Sequence, residues 1–254
     1  MKITLPTGLV EGPDHFDVAI IDELRGKQQN YLADRKLVEG NIGHIPKILG
    51  DVVKSIETKS GNPWQGDIKE ALVRLPSSDI ETLLIKLREN TFGPRYYFQA
   101  QCTNCGHINK NQRLDLDKLK IKKIKVEDLS NVEARTFKLP KSEQTVVLKP
   151  MYLTDMFESV NIITDKSDEL VTEVVKLSIE SIDGKAPSKT VLEEMSARDI
   201  MFLEECLEKA KLEGSIDTDV DMECANCKTE FSSKLNVYEP DFFSPTRASK
   251  STKR

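Results

Sequence analysis

The 254-residue sequence predicts an α+β fold made by tandem duplication of a unit that contains a hairpin, helices and a cysteine knuckle. Two Cys-x-x-Cys pairs support this prediction, because Cys102 and Cys105 are followed 122 positions later by Cys224 and Cys227. Alternating apolar stretches typical of strands and three-and-four-spaced stretches typical of helices also follow the same order in both halves. We therefore expect two copies related by a pseudo-twofold axis.

The similarity between the halves extends beyond the cysteines. Leu5-Pro6 corresponds to Leu139-Pro140, and Ser78-Asp79-Ile80 resembles Arg198-Asp199-Ile200. A third match aligns the apolar positions Ile48, Leu49, Val52 and Val53 with Leu170, Val171, Val174 and Val175. Chance similarity of amphipathic helices is the alternative, but it would not keep the cysteine pairs in step. The predicted divisions are a first repeat over 1–126, a second repeat over 127–245 and a flexible basic tail over 246–254.

Each repeat is predicted to open with a short hairpin, which contains Ile3 and Leu5 in the first copy and Val146 to Leu148 in the second. A helix should follow from near Asp22 or Thr154. The best helical pattern then places six residues on one face: Ile45, Ile48, Leu49, Val52, Val53 and Ile56.

A further helix in each repeat is predicted to begin with a serine cap. Ser78 stands three residues before Glu81, and Ser196 stands three residues before Asp199. An alternating strand then leads into each cysteine pair, and a return strand follows it.

The four paired cysteines, Cys102, Cys105, Cys224 and Cys227, are the predicted metal ligands. Zn²⁺ takes four ligands in a tetrahedron, and two residues between thiolates let both sulfurs face one ion. A redox-active dithiol and incidental cysteines are the alternatives. His107 could replace one sulfur, whereas Cys206 lies in a helical pattern and is expected in the core. The zinc is predicted to be structural and to join the repeats within one chain. Alternatively, each cysteine pair shares the ion with a pair from a second chain, which would make a metal-linked dimer.

Composition limits the class of protein. Charged residues make up 31% of the chain, the net charge is −5 and the pI is about 5.5, which argues against a duplex-DNA binder that neutralises phosphates. We expect no signal peptide and no membrane segment, and therefore a reducing compartment in which cysteine pairs hold metal. Known catalytic motifs and phosphate-binding loops are missing from the sequence.

Three smaller features have two interpretations each. Asp217, Asp219 and Asp221 alternate with apolar residues, as on the solvent face of an edge strand, or else form a cation site. Trp64 is expected to cap a helix pair, with a partner anchor as the alternative. Phe242-Phe243 is a candidate clip onto the body of the protein or onto a neighbouring subunit.

The run from Leu75 to Leu84, the residues Phe92-Gly93 and Tyr96-Tyr97-Phe98, and the following Cys102-x-x-Cys105 resemble the T-even-type phage baseplate family. The opening Leu5-Pro6-Thr7-Gly8-Leu9 is similar to the start of the same family. The resemblance implies a non-enzymatic baseplate hub subunit or hub assembly chaperone of a contractile-tailed phage. It implies other tail and baseplate proteins as partners, no small-molecule substrate, and a location in the host cytoplasm during assembly or in the virion tail baseplate. The alternatives from the residues are a zinc-ribbon nucleic-acid-binding regulator and an enzyme of an unrecognised kind.

Overall fold

The computed structural model describes residues 1–38, 42–129, 131–158, 175–210 and 212–244, without the side chains of Glu208 and Lys209. It is a mixed helix and sheet structure, which confirms the predicted α+β class. The predicted helical positions Leu170, Val171 and Val174 and the tail 246–254 lie outside the described residues.

The first half begins with a three-stranded antiparallel sheet, whose strands lie in sequence order, and ends with a two-stranded hairpin. Its strands are β1 (Lys2–Glu11), β2 (Asp14–Ile21), β3 (Val53–Glu57), β4 (Arg95–Gln101), β5 (Ile108–Asp115) and β6 (Ile121–Lys122). Its helices are α1 (Gly26–Ala33), α2 (Arg35–Val38), α3 (His44–Val52), α4 (Ile68–Arg74) and α5 (Ser77–Phe92), with a 3₁₀ turn at Leu116–Lys118.

The second half has another three-stranded antiparallel sheet, again with its strands in sequence order, and also ends with a two-stranded hairpin. Its strands are β7 (Thr136–Lys138), β8 (Thr145–Leu148), β9 (Ile179–Ile182), β10 (Ser215–Ile216), β11 (Asp219–Glu223) and β12 (Glu230–Lys234). Its helices are α6 (Val126–Leu129), α7 (Lys189–Glu193) and α8 (Ala197–Lys209), with 3₁₀ turns at Glu133–Arg135 and Pro240–Phe243. Residues 153–158 and 175–177 are also helical. Strand β10 pairs with β6, which joins the halves.

The long helix predicted from Ile45 to Ile56 is wrong in its second part. Helix α3 ends at Val52, and Val53 and Ile56 belong to β3, which pairs with β2. Both residues are β-branched and buried, so they suit a strand as well as a helix. The pairing with β2 decides between the two structures, and a local apolar pattern contains no information about that pairing.

The predicted caps have different outcomes. The Ser196 hydroxyl accepts a hydrogen bond from the Asp199 N–H at 3.2 Å and caps α8 as expected. Ser78 does not cap α5, because its hydroxyl instead donates to the Glu213 carboxylate at 3.0 Å. The N–H of Ser78 and the hydroxyl of Ser77 also donate to Glu213. A carboxylate from the second half thus accepts the hydrogen bonds at the N-terminus of α5, where the helix dipole favours negative charge.

In the described part of the chain, two large apolar clusters form the core, and a third, small cluster lies between the cysteine hairpins. The larger one surrounds α3 and α5, and it also takes residues from the end of the chain, including Leu235, Val237, Phe242 and Phe243. The smaller of the two large clusters lies between β7, β8, β9 and α8. Because the end of the second half packs into the core of the first, the two halves share their interior.

The C-terminal segment 236–244 is held on the first half by polar contacts as well. Arg88 is 1% exposed, and its Nε donates to the Phe242 carbonyl at 3.0 Å while its guanidinium lies 4.7 Å from the centre of the Tyr96 ring. The Tyr238 hydroxyl donates to Glu81 at 3.1 Å. Phe242 and Phe243 are fully buried, so this pair packs on the body of its own chain. Trp64 is also buried, and its Nε1 donates to Glu11, in agreement with a packing role.

A buried aspartate in each half holds the start of that half. The Oδ1 and Oδ2 atoms of Asp79 accept from the N–H groups of Thr7 and Gly8 at 2.8 and 2.7 Å. Asp199 accepts in the same way from Lys141 and Ser142, at 2.8 and 3.1 Å. These donors directly follow Leu5-Pro6 and Leu139-Pro140. In each half, the Leu-Pro segment therefore lies next to the aspartate segment, and both segments are ones that match between the halves.

The two aspartates have opposite electrostatic surroundings. Burial raises the pKa of Asp79 to about 7, against the two N–H bonds that lower it, and the negative charges of Glu213 and Asp17 raise it further. Burial also acts to raise the pKa of Asp199, but the hydrogen bonds from Lys141, Ser196 and Ser142 together hold that pKa below its ordinary value. Raised folded-state pKa values favour folding at low pH, and lowered values favour it at high pH.

We predict opposite pH effects for Asp79→Asn and Asp199→Asn. The Asp79 contribution is complete below the unfolded pKa near 4 and is lost as pH rises through about 7, so it should lower the free energy of unfolding by roughly 2–3 kcal/mol between pH 5 and pH 8. Asp79→Asn should remove that decline. The contribution of Asp199 to the free energy of unfolding is instead lost as pH falls, and Asp199→Asn should remove that loss. Urea unfolding at several pH values measures both, and parallel pH curves for wild type and Asp79→Asn would contradict the assignment.

Candidate metal centre

Each cysteine pair lies in the turn of a two-stranded hairpin, between β4 and β5 or between β11 and β12. In the first turn the Cys102 N–H donates to the His107 carbonyl, and the Gly106 N–H donates to the Cys102 carbonyl. In the second turn Cys224 and Thr229, and Lys228 and Cys224, make the same two bonds. The two turns therefore have the same backbone hydrogen bonds, and each directs two sulfurs to one side.

The four predicted ligands lie together. The sulfurs of Cys102, Cys105, Cys224 and Cys227 are all within 4.8 Å of one another. Cys102 lies 3.7 Å from Cys227, and Cys105 lies 3.7 Å from Cys224. A tetrahedral ion with metal–sulfur bonds of about 2.3 Å would place its ligands about 3.8 Å apart. The donor set and its spacing therefore fit a metal ion held by four thiolates.

Burial differs among the four sulfur-bearing residues. Cys102 and Cys224 are buried and pack with Ala100 and Phe231 in a small apolar cluster between the hairpins. Cys105 is exposed and Cys227 is half-buried. An ion at this position would be covered by the hairpins on one side and would lie close to solvent on the other.

Asparagine side chains next to the sulfurs make reciprocal contacts between the hairpins. The Asn104 amide donates to the Cys227 sulfur at 3.6 Å, and the Asn226 amide donates to the Cys105 sulfur at 3.7 Å. Hydrogen bonds from the Thr229 side chain and N–H and from Asn104 lower the pKa of the Cys227 thiol to about 5. The N–H of Cys227 is the largest cause that lowers the pKa of Cys224. These bonds favour the thiolate, which is the form that binds metal.

The structure brings no histidine into the cluster. His107 is exposed beside the first turn and does not belong to the group of close sulfurs. Cys206 packs in the core of the second half, as predicted. Asp219 and Asp221 are exposed along β11, in agreement with a solvent-facing side of that strand.

Sequence reasoning missed Asn109, which is 1% exposed and touches both turns. Its Oδ1 accepts from the Ala225 N–H at 2.9 Å, and its Nδ2 lies 3.8 Å from the Cys224 sulfur. An asparagine four residues after a cysteine pair has no recognisable pattern, so only its position opposite the second turn reveals this role.

The fold and the site define a protein whose two halves meet at a four-cysteine cluster. The family model described as T4 bacteriophage base plate protein matches residues 41–244, and the chain belongs to this family. No curated protein and no solved structure matches the chain. Within the described residues, every helix is too short or too polar to cross a bilayer.

The backbone of the two turns provides a direct test of the knuckle geometry. Gly106 and Lys228 occupy the same position after their cysteine pairs, with φ of 71° and 61°. This left-handed region is unfavourable by about 1–2 kcal/mol for a residue with a Cβ. A Cβ added at Gly106 would meet only the Gln101 side chain, at 3.7 Å, so backbone strain dominates any substitution there.

We predict that Gly106→Ala lowers the free energy of unfolding by about 1–2 kcal/mol, and that Lys228→Gly leaves it unchanged or raises it by up to about 1 kcal/mol. The Lys228–Glu223 ion pair is exposed, and its loss should have little effect. Chemical denaturation with constant metal content measures both variants. Equal destabilisation by the two substitutions would show that the turns do not share this conformation.

Proposed function

We propose that this chain is a structural or assembly protein of a contractile phage tail baseplate, either a hub subunit or a hub assembly chaperone, in which a structural zinc ion clamps the two halves. The observation that carries the proposal is the convergence of four sulfurs from hairpins 122 residues apart, in a chain of the base plate family. Its partners are other phage tail proteins, and its place is the host cytoplasm during assembly and the tail baseplate.

Zinc is the metal that the site supports best. Four thiolates in a tetrahedron are typical of structural zinc, whereas hard cations such as Mg²⁺ prefer oxygen ligands. Four protein ligands leave no open position for water or substrate, so the ion would stabilise the fold and not catalyse a reaction. This fits the non-enzymatic role that the family suggests.

A tandem duplication accounts for the shared features of residues 1–126 and 127–245. Supporting observations are the matching sheets and hairpins, the paired contacts of Asp79 and Asp199, and the reciprocal contacts of Asn104 and Asn226. Exchange of the two halves turns the 3.7 Å contact of Cys102 with Cys227 into that of Cys224 with Cys105. Such reciprocity is the property of a twofold axis.

Strands β3 and β9 occupy matching places in the two halves and so support the duplication. Their pairing aligns the two halves differently from the sequence comparison. Both meet their neighbour at a register shift, where Ile21 pairs with Val53 and Leu148 pairs with Ile179. This makes Val53 equivalent to Ile179 and not to Val175, one helical turn away from the sequence match. With this alignment, the second and third strands are separated by nearly the same number of residues in the two halves.

The zinc clamp predicts one zinc per chain and equal effects of Cys102→Ser and Cys224→Ser. Each substitution removes one ligand of the same ion, so each should lower the free energy of unfolding by about 4 kcal/mol or more and reduce bound zinc. Cys206→Ala is the control, because Cys206 lies outside the cluster and should leave zinc content unchanged. Elemental analysis and denaturant unfolding measure these effects. Protein purified without chelator that holds no metal would disprove the clamp.

The baseplate role is tested separately in infected cells. A phage that lacks this gene product should form defective baseplates, and the wild-type chain supplied in trans should restore infectious particles. Cys102→Ser should restore fewer particles than Cys206→Ala at equal protein levels. Retention of the chain in purified tails would identify a hub subunit, and its absence from them would identify an assembly chaperone. Normal tails without the gene product would contradict both roles.

A further inference from the structure

Asn109 lies at the centre of the contact between the two hairpins. Its side chain projects from β5, is 1% exposed and lies opposite Ala100 in the β4–β5 pair. A buried amide is costly unless its polar atoms are hydrogen-bonded. Here Nδ2 lies 3.4 Å from each of the Ala100 and His107 carbonyls, which hold the side chain to its own hairpin.

The same side chain reaches across to the second hairpin with both of its polar atoms. Oδ1 accepts from the Ala225 N–H at 2.9 Å, inside the second cysteine turn, and Nδ2 approaches the Cys224 sulfur at 3.8 Å. Neither contact needs an ion. Asn109 therefore links the two half-sites and orients one of the four sulfurs.

The position of Asn109 also breaks the symmetry of the site. The residue 122 positions later is Phe231, which packs in the apolar cluster with Cys102 and Cys224. Asn104 and Asn226 form a reciprocal pair, whereas the contact of Asn109 has no counterpart at Phe231. One hairpin thus provides a polar contact and the other provides apolar packing.

We propose that Asn109 is a positioning residue that docks the second cysteine turn on the first before metal binds. Its side-chain Nδ2–H group then orients the Cys224 sulfur and raises the affinity of the site for metal. The metal would then enter a site that is already assembled. The inference rests on the proposed metal clamp for its second part, and its first part concerns the metal-free protein. Hydrogen bonds that orient a metal ligand typically change metal affinity by 10–100-fold.

The test of the ligand role uses Asn109→Leu, which keeps the branched shape of the side chain and removes its polar contacts with both turns. We expect zinc affinity, measured by chelator competition, to fall by about 10–100-fold, and the sulfur-to-metal charge-transfer band of the Co²⁺-substituted protein to shift. Phe231→Leu is the matched control. It loosens the same cluster without removing a hydrogen bond to sulfur, so it should lower the melting temperature and leave the band unshifted.

The docking role is tested in the wild-type protein with the metal removed by chelator. The Ala225 amide should exchange with solvent at least about tenfold more slowly than an unprotected amide, and Asn109→Leu should abolish this protection. Exchange of the wild-type amide at the unprotected rate would overturn the docking role, whether or not the variant folds. Wild-type affinity and an unshifted band in Asn109→Leu would overturn the ligand role. A wild-type protein that binds no metal would refute the clamp, while the exchange rate would still decide the docking.

Discussion

The two cysteine turns close the chain over a long distance in sequence. Cys102 and Cys227 are separated by more than a hundred residues, and their sulfurs lie 3.7 Å apart. Closing so long a loop is unfavourable in entropy, and it requires compensation from contacts at the junction. The apolar cluster of the hairpins, the asparagine contacts and the four sulfurs all lie at that point, so the ends of both halves are fixed there together.

A second closure lies along α5 and has no cysteine. The segment 236–244 crosses from the second half to the first, where Phe242 and Phe243 enter the larger core and Arg88 binds the Phe242 carbonyl. Burial of the aromatic rings stabilises this contact, and the guanidinium is satisfied by carbonyls and ring faces. Since the first core is incomplete without the end of the chain, the two halves should unfold together.

Sequence reasoning failed where a distant residue competes with a local preference. Val53 and Ile56 fit a helix of three-and-four spacing, but pairing with β2 makes them a strand. Ser78 fits a helix cap, but Glu213 takes its hydroxyl. At Ser196 the local preference meets no such competitor, and the cap forms as predicted. Local patterns therefore succeed only where tertiary contacts agree with them.

Short-range spacing in the sequence was enough to predict the α+β class, the hairpins, the serine cap of α8 and the four sulfurs of the candidate site. Two residues between thiolates and a period of two in a strand are properties of neighbouring positions. Tertiary contacts were needed to show that the sulfurs converge, that Asn109 links both turns and that the last residues complete the first core. Those features depend on which segments meet in space. The contacts that stabilise them form only when the chain has folded and the apolar residues are buried.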